Sequence, residues 1–154
     1  MTDFEREIVK SFNQFFKQGG VEGIAHRLKQ HRFTSQMLDV LVDSPHKSFY
    51  LGIECKSVST EKGAAALYFT QHFGTGQILR IDEFLKKSGR RGILAVELRR
   101  GSGKSREAHI INWTELRKRY AKGLVGFTVN EIVQFPEIRR RGGRYIIVPE
   151  AWRD

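Results

Sequence analysis

The sequence predicts an α/β domain in which a central mixed β-sheet is flanked by helices. Three observations support this class: an amphipathic helical pattern at the N-terminus, apolar runs with strand periodicity in the middle, and a second helical pattern between two such runs. The length of 154 residues fits a single domain, 1–154. We divide it into a core at about 1–112 and an extension with a helix and a strand at 113–154.

The first helix is expected at Asp3–Lys17. Its apolar residues recur at helical spacing, namely Phe4, Ile8, Val9, Phe12, Phe15 and Phe16. On this wheel Glu5 falls within the apolar stripe, whereas Glu7 falls on the opposite, solvent-facing side. A buried carboxylate needs a cation or a donor, which makes Glu5 a candidate site residue. The alternative is that Glu5 only interacts favourably with the helix dipole.

Two central strands are expected at Leu38–Val42 and Phe49–Lys56, with turn-forming residues between them. The first strand carries Asp39 within an apolar run. The second alternates, so Glu54 and Lys56 leave the same face about 7 Å apart. If the strands pair as a hairpin, Asp39 approaches Glu54. Two carboxylates beside an ammonium group form a candidate site for a divalent cation and a phosphate.

The remaining elements follow from the same periodicities. They are a weak strand at Val21–Lys29, a helix at Gly74–Gly89, strands at Gly92–Arg99 and Ala108–Asn112, a helix at Trp113–Lys122, a helical turn at Val129–Phe135 and a last strand at Tyr145–Val148. The type of Ala64–Gln71 stays open. Gln77 lies on the apolar arc of the second helix, where its amide needs a metal-bound water or a backbone group as partner. It is therefore either a supporting site residue or an ordinary core-edge glutamine.

The charge balance points to a polyanionic partner. The chain has 27 Lys and Arg against 17 Asp and Glu, a formal net charge of +10. This favours nucleic acid, with a membrane surface or an acidic protein as weaker alternatives. A single cysteine excludes an intrachain disulfide and a cysteine zinc cluster, and no stretch reads as a signal peptide or membrane span. We expect an intracellular, cytoplasmic protein without a membrane partner.

The segment 100–106, RGSGKSR, contains glycine, lysine and serine as phosphate-binding loops do. It lacks the G-x-x-x-x-G-K-[ST] spacing and lies between two expected strands, so the helix N-terminus that such loops require is missing. We expect no nucleotide cofactor and interpret the segment as a solvated turn that contacts DNA backbone. The five histidines show no metal-binding spacing.

Asp39 on one strand and Glu54-Cys55-Lys56 on the next resemble the PD-(D/E)xK nuclease superfamily, and within it the archaeal-type Holliday-junction resolvases. The resemblance covers about the first hundred residues and implies a restriction-endonuclease-like core. The family's first-helix motif matches Glu5-Arg6-Glu7-Ile8, which again selects Glu5, and its arginine in the following strand matches Arg27. Leu38 stands where the motif has proline.

The resemblance implies Mg²⁺-dependent phosphodiester hydrolysis, with Mn²⁺ as a substitute. Asp39, Glu54 and the backbone carbonyl of Cys55 would hold the ion, and Glu5 would contribute directly or through water. Lys56 would orient or activate the attacking water. The residues expected to contact the DNA backbone are Arg6, Arg27, Lys29 and Arg32.

The resemblance further implies a homodimer that cuts branched DNA symmetrically. Phe84 lies where the family carries an interface aromatic, while Ser88 stands where a second would be expected. The expected function is thus Holliday-junction resolution in DNA recombination and repair. The alternatives are a repair or restriction endonuclease of the same superfamily, a non-catalytic DNA-binding module, and an RNA-binding or ribosome-associated basic protein.

Overall fold

The computed structural model describes residues 3–28, 38–61 and 65–153. The helices are α1 (Asp3–Gly19), α2 (Phe69–His72), α3 (Gln77–Ser88), α4 (Trp113–Ala121) and α5 (Val129–Ile132). The strands are β1 (Ile24–Arg27), β2 (Val40–Asp43), β3 (Leu51–Ser59), β4 (Ala66–Tyr68), β5 (Arg91–Arg99), β6 (Glu107–Asn112), β7 (Gly126–Thr128), β8 (Glu137–Ile138), β9 (Arg140–Arg141) and β10 (Arg144–Tyr145). The segment whose type the sequence left open forms β4 followed directly by α2.

The central sheet has six strands in the order β1-β2-β3-β5-β6-β8. β3 and β5 are parallel, with α3 between them in sequence, and the other neighbours are antiparallel. The sheet is therefore mixed, and helices pack on both of its faces. This confirms the predicted α/β class, with a central mixed sheet flanked by helices.

Each face of the sheet buries its own apolar layer. Under α1, Phe4, Ile8, Phe12 and Phe16 pack on the alternate residues of β3 that include Leu51, Ile53 and Cys55. On the other face, α3 and α4 contribute Ile78, Ile81, Leu85 and Leu116. The alternation predicted for β3 is thus confirmed, because its two residue sets enter different layers.

Contacts at the C-terminus of α1 fix the edge of the sheet. The side chain of Asn13 accepts a hydrogen bond from the backbone N–H of Ala25 at 2.8 Å and donates one to its carbonyl at 2.9 Å. This pair satisfies backbone groups of β1 that face away from β2. α1 therefore holds β1 beside β2, the strand that leads into the candidate site.

The last strand of the sequence prediction is wrong in extent. Tyr145–Val148 was expected to be a strand, but only Arg144–Tyr145 forms one, and it pairs with Arg140–Arg141 across Gly142-Gly143. Tyr145 and Ile147 are buried against the α1 layer instead of extending a sheet. The apolar alternation of this segment is real, but it reflects packing against α1 and not a long ladder of strand hydrogen bonds.

The prediction that Glu7 faces solvent is also wrong. Only 15% of its side chain is exposed, close to the 13% of Glu5. Arg140 of β9 donates to both of its carboxylate oxygens, at 2.9 and 3.0 Å, and Arg106 lies at 3.6 Å. The C-terminal hairpin covers this side of α1, and a helical wheel of the first segment contains no information about it.

Candidate active site

Two carboxylates meet where β2 begins beside β3. Val40 pairs with Ile53, and the backbone N–H of Asp39 donates to the Ile53 carbonyl at 3.2 Å. Asp39 and Glu54 therefore occupy facing positions on the two strands, and the charge of Asp39 acts on Glu54. Asp39 is 8% exposed and Glu54 only 1%. The predicted hairpin thus brings the two acidic candidates together in a buried place.

Burial is the main reason that Glu54 resists ionisation. Together with the neighbouring charge of Asp39, and against the opposing effect of Lys56, burial raises the pKa of Glu54 to about 8. Two like charges this close and this buried are costly unless a cation joins them. The electrostatics of the pair therefore favour a bound cation or a bound proton.

The two oxygens of Glu54 have different surroundings. Oε2 accepts a hydrogen bond from Gln77 Nε2 at 3.2 Å and lies 3.1 Å from Lys56 Nζ. Oε1 is buried, and no donor in the described part of the chain reaches it. A buried carboxylate oxygen without a donor is unusual, and it marks the point at which a further ligand would be stabilised.

Gln77 connects the site to the start of α3. Its Oε1 accepts a hydrogen bond from the backbone N–H of Gly74 at 2.9 Å, and its Nε2 donates to Glu54. Both ends of the amide are therefore used, which fixes its orientation. The sequence predicts a metal-bound water or a backbone group as partner for Gln77; its partners are the backbone of Gly74 and the carboxylate of Glu54.

Lys56 lies on the same face of β3 as Glu54. Its side chain is 17% exposed, and its ammonium group lies 4.6 Å from the ring centroid of Phe73. The cation–π contact and the Glu54 pair hold the amine at the mouth of the site while part of it still reaches solvent. Sequence reasoning missed Phe73, for which the only signal was an aromatic residue directly before the glycine-rich start of the second helix.

The backbone of Cys55 takes part in the site. Its N–H donates to Asp39 Oδ2 at 2.8 Å, so this carboxylate is anchored across the end of the ladder. Because the Ile53 carbonyl bonds across to Asp39, the carbonyl of Cys55, two residues on, lies on the same edge of β3. The thiol itself is buried, and burial raises its pKa well above the usual value. Cys55 can therefore offer a carbonyl but not a nucleophile.

Glu5 approaches from the other face of the sheet. Its carboxylate lies 3.9 Å from Arg27 Nε, and its charge acts on the thiol of Cys55, which packs under α1. Glu54 points instead toward α3 through Gln77. The structure thus brings Asp39, Glu54 and Lys56 together, whereas Glu5 flanks β3 from the α1 side. Its share in an ion site stays a prediction.

The donor set fits a hard divalent cation. Within residues 3–28, 38–61 and 65–153, no three His, Cys, Asp or Glu side chains are grouped so that they could hold a metal ion. Mg²⁺, however, commonly binds through one or two carboxylates and keeps several waters. Asp39, Glu54 with its donor-free Oε1, and the Cys55 carbonyl supply oxygen ligands of that kind.

The other predicted residues have surroundings of their own where the structure describes them. Arg6 is half-exposed and pairs with Asp3 at 3.4 Å, and Arg27 pairs with Glu5. Lys29 and Arg32 lie outside the described residues. Phe84 is partly buried on α3 beside a groove of about 480 Å³. Its place in a dimer interface stays a prediction.

Sequence reasoning also missed a third buried carboxylate among the described residues, Glu97 on β5, which is 0% exposed. It accepts hydrogen bonds from Arg99 Nε at 2.7 Å, from Ser57 Oγ at 3.0 Å and from the Tyr145 hydroxyl at 3.4 Å. The signal was present, since Glu97 interrupts an apolar run just as Asp39 does.

No helix within the described residues is long and apolar enough to cross a membrane.

Comparison with known proteins gives a weak structural likeness. No protein-family model matches the sequence, and no curated protein matches it. Among solved structures, the chain is similar to Hjc, a Holliday junction resolvase from the archaeal hyperthermophile Archaeoglobus fulgidus, at 14% identity and a TM-score of 0.46. The match covers 77% of this chain and 83% of that one. At this level, a shared shape does not establish a shared activity or substrate.

Proposed function

We propose that the protein is a metal-dependent nuclease whose centre is Asp39, Glu54 and Lys56. The observation that carries the proposal is the buried Asp39–Glu54 pair with one oxygen lacking a donor and an ammonium group 3.1 Å from the other. Within this class, we propose a Holliday-junction resolvase, which acts as a homodimer on branched DNA. The net charge of +10 supports a polyanionic substrate.

Asp39, Glu54 and the Cys55 carbonyl would hold Mg²⁺. When bound, the ion supplies Lewis-acid polarisation of a phosphate oxygen and a more acidic water. Lys56 has the point charge and the partial exposure needed to stabilise charge on the phosphate as it is attacked. Gln77 keeps Glu54 in place from the start of α3, and the Cys55 N–H does the same for Asp39.

A non-catalytic DNA-binding module explains less of the geometry. Such a module would gain nothing from two adjacent buried carboxylates, which destabilise the fold when no cation is bound. A basic surface alone accounts for binding to DNA or RNA but not for this pair. The acidic pair therefore favours the enzyme over the binding module.

The substrate is tested with a panel of labelled DNAs at equal concentration: a four-way junction, linear duplex, a flap and a single strand. We expect Mg²⁺-dependent cuts at symmetric positions in the junction and much slower cleavage of the other three. Equal rates on all four would eliminate the resolvase while retaining the nuclease. In that case a repair or restriction type of endonuclease would be the better account.

A further inference from the structure

A second concavity lies at the far end of α3 from the catalytic centre. It measures about 790 Å³ and is lined by the C-terminal turn of α3, the starts of β5 and α4, and the turn before β3. Five of its lining side chains are cationic: Lys47, Lys86, Arg90, Arg91 and Arg117. One lining carboxylate, Asp82, is already paired with Arg117. We call this concavity the basic pocket.

The pocket has charge that the described part of the protein does not neutralise. Arg90 is held by Asp43 at 2.7 Å and stacks on Tyr50, with its guanidinium carbon 4.3 Å from the ring centroid. Lys47 and Lys86, by contrast, are exposed and have no ion-pair partner among the described residues. The lining therefore has a net positive charge that an anionic ligand would complement.

Unsatisfied polar atoms concentrate around the same pocket. Among the described residues, five buried side-chain atoms lack a hydrogen-bond partner, and three of them belong to residues that line it: Arg90 Nε, Asn112 Oδ1 and Trp113 Nε1. Two of the three are donors without an acceptor. A fourth is Glu54 Oε1 in the catalytic centre. Buried donors of this kind favour a ligand with acceptor oxygens.

The spacing between the two sites can be expressed in base-pair steps of a duplex that lies parallel to α3. Gln77 lies at the catalytic end of α3 and Lys86 at the pocket, nine residues apart, which is about 13 Å along the helix. Glu54 lies four positions after Tyr50, the residue directly before β3, which is again about 13 Å of extended chain. At about 3.4 Å of rise per nucleotide step, this distance corresponds to roughly four base pairs of duplex.

We propose that the basic pocket binds a backbone phosphate of the substrate DNA about four nucleotides from the phosphate that is cut. The ligand class is thus the phosphodiester of the duplex arm that lies along α3. This inference rests on the proposed function, because it requires a DNA substrate. It assigns the pocket to positioning of that substrate and not to the chemical step.

The test compares two double variants with the same change in charge. Lys47→Glu/Lys86→Glu alters the pocket, and Lys10→Glu/Lys17→Glu alters exposed lysines at a shallow concavity of about 690 Å³ on α1, where no described residue has an unsatisfied buried atom. Binding to a four-way junction is measured by fluorescence anisotropy in EDTA, after the melting temperature shows that both variants fold. We expect about a tenfold loss of affinity for the pocket variant and less than threefold for the control.

A phosphate scan then locates the contact. The cut is first mapped in Mg²⁺, and neutral methylphosphonates are placed one at a time at three to five nucleotides from it. At one of these positions, the tenfold difference in DNA affinity between wild type and the pocket variant should shrink to twofold or less. The reason is that the methylphosphonate has already removed the phosphate charge that the basic pocket binds. The control variant should show no such position.

Three results would overturn the inference: equal losses for the two double variants, no coupling at any scanned phosphate, or binding of inorganic phosphate that the pocket variant abolishes while its DNA affinity is unchanged. These differ from failure of the proposed function. If wild-type protein neither binds nor cuts DNA, the proposed nuclease function is rejected. If wild-type protein cuts DNA and the two double variants bind it equally well, only the proposed role of the basic pocket is rejected.

Discussion

Glu54 and Glu97 are almost equally buried, and their partners separate a candidate catalytic residue from a structural one. Glu97 receives hydrogen bonds on both oxygens, from Ser57 and Arg99 on Oε1 and from Tyr145 on Oε2. Glu54 has one oxygen that no described donor reaches, and it lies beside the like charge of Asp39. Residue type and burial are the same in the two cases, so the difference lies in whether each carboxylate oxygen has a hydrogen-bond donor.

The raised pKa of Glu54 predicts an unusual dependence of stability on pH in the absence of metal. A carboxyl group whose pKa rises from 4.5 in the unfolded chain to about 8 in the fold binds its proton more tightly when folded. Its favourable contribution to the free energy of unfolding is therefore fully present below about pH 4.5 and is lost as the pH rises toward 8. Thermal melts in EDTA between pH 5 and 8 should show this loss for wild type.

The matched variant is Glu54→Gln, which keeps the shape and cannot ionise. Its melting temperature should fall less than that of wild type over the same pH range. Parallel curves for the two proteins would mean that Glu54 ionises normally and that the pair is not strained. Added Mg²⁺ at pH 8 should raise the melting temperature of wild type and leave Glu54→Gln nearly unchanged.

Lys56 should matter for the chemical step more than for binding. Lys56→Met keeps an unbranched chain against Phe73 but removes the charge beside Glu54. We expect a fall in the single-turnover cleavage rate of about a hundredfold or more, with DNA affinity within a few-fold of wild type. Lys17→Met, an exposed lysine on α1, serves as the control. An equal loss of binding and rate in Lys56→Met would assign the residue to attraction of DNA only.

At the scale of elements, the site depends on where β2 begins beside β3 and on α3 packing closely over the sheet. The hairpin, the alternation of β3 and the second long helix were all readable from the sequence, because each is a local pattern. The surroundings of Glu7 and the extent of the last strand were not. Glu7 meets Arg140, which is 133 residues away, and no local periodicity encodes a contact of that range.

Gly92 on β5 tests how tightly the helices cover the sheet. A Cβ at this position would lie 2.4 Å from Leu85 Cδ1 of α3 and 2.7 Å from Trp113 Cβ of α4. Gly92→Ala should therefore lower the free energy of unfolding by about 1–3 kcal/mol, measured by urea denaturation. Gly19→Ala, whose Cβ would meet Phe15 at an ordinary 3.5 Å, should change it little. Equal stability of both variants would show that the side chains around Gly92 shift easily to accommodate a methyl group.

At the scale of the whole molecule, a formal net charge of +10 accompanies a small, buried acidic pair. Under the proposed function, the net charge would attract DNA, and the buried pair would act only on the phosphate that reaches it. The positive net charge can be predicted from composition alone. The buried acidic pair requires the paired strands, which bring Asp39 to Glu54 across fourteen intervening residues.

Symmetric cutting of a junction requires two centres, and Phe84 on α3 is the residue we propose for the contact between two copies. Phe84→Glu should shift the protein toward a monomer in analytical ultracentrifugation without changing its melting temperature much, because the side chain is only partly buried. Leu79→Glu is the matched control, since Leu79 is exposed on the same helix about 140° away. A dimer that survives Phe84→Glu would place the interface elsewhere.

The most direct test of the metal-dependent centre is cleavage of a labelled four-way junction by wild type and by Asp39→Asn. The asparagine can still accept the hydrogen bond from Cys55, so the fold is retained while a charged ligand is lost. Wild type should cut in Mg²⁺ and not in EDTA, and Asp39→Asn should cut at least about a hundredfold more slowly while it binds the junction within a few-fold of wild type. Undiminished cleavage by Asp39→Asn, or no cleavage by wild type with Mg²⁺, would contradict the account.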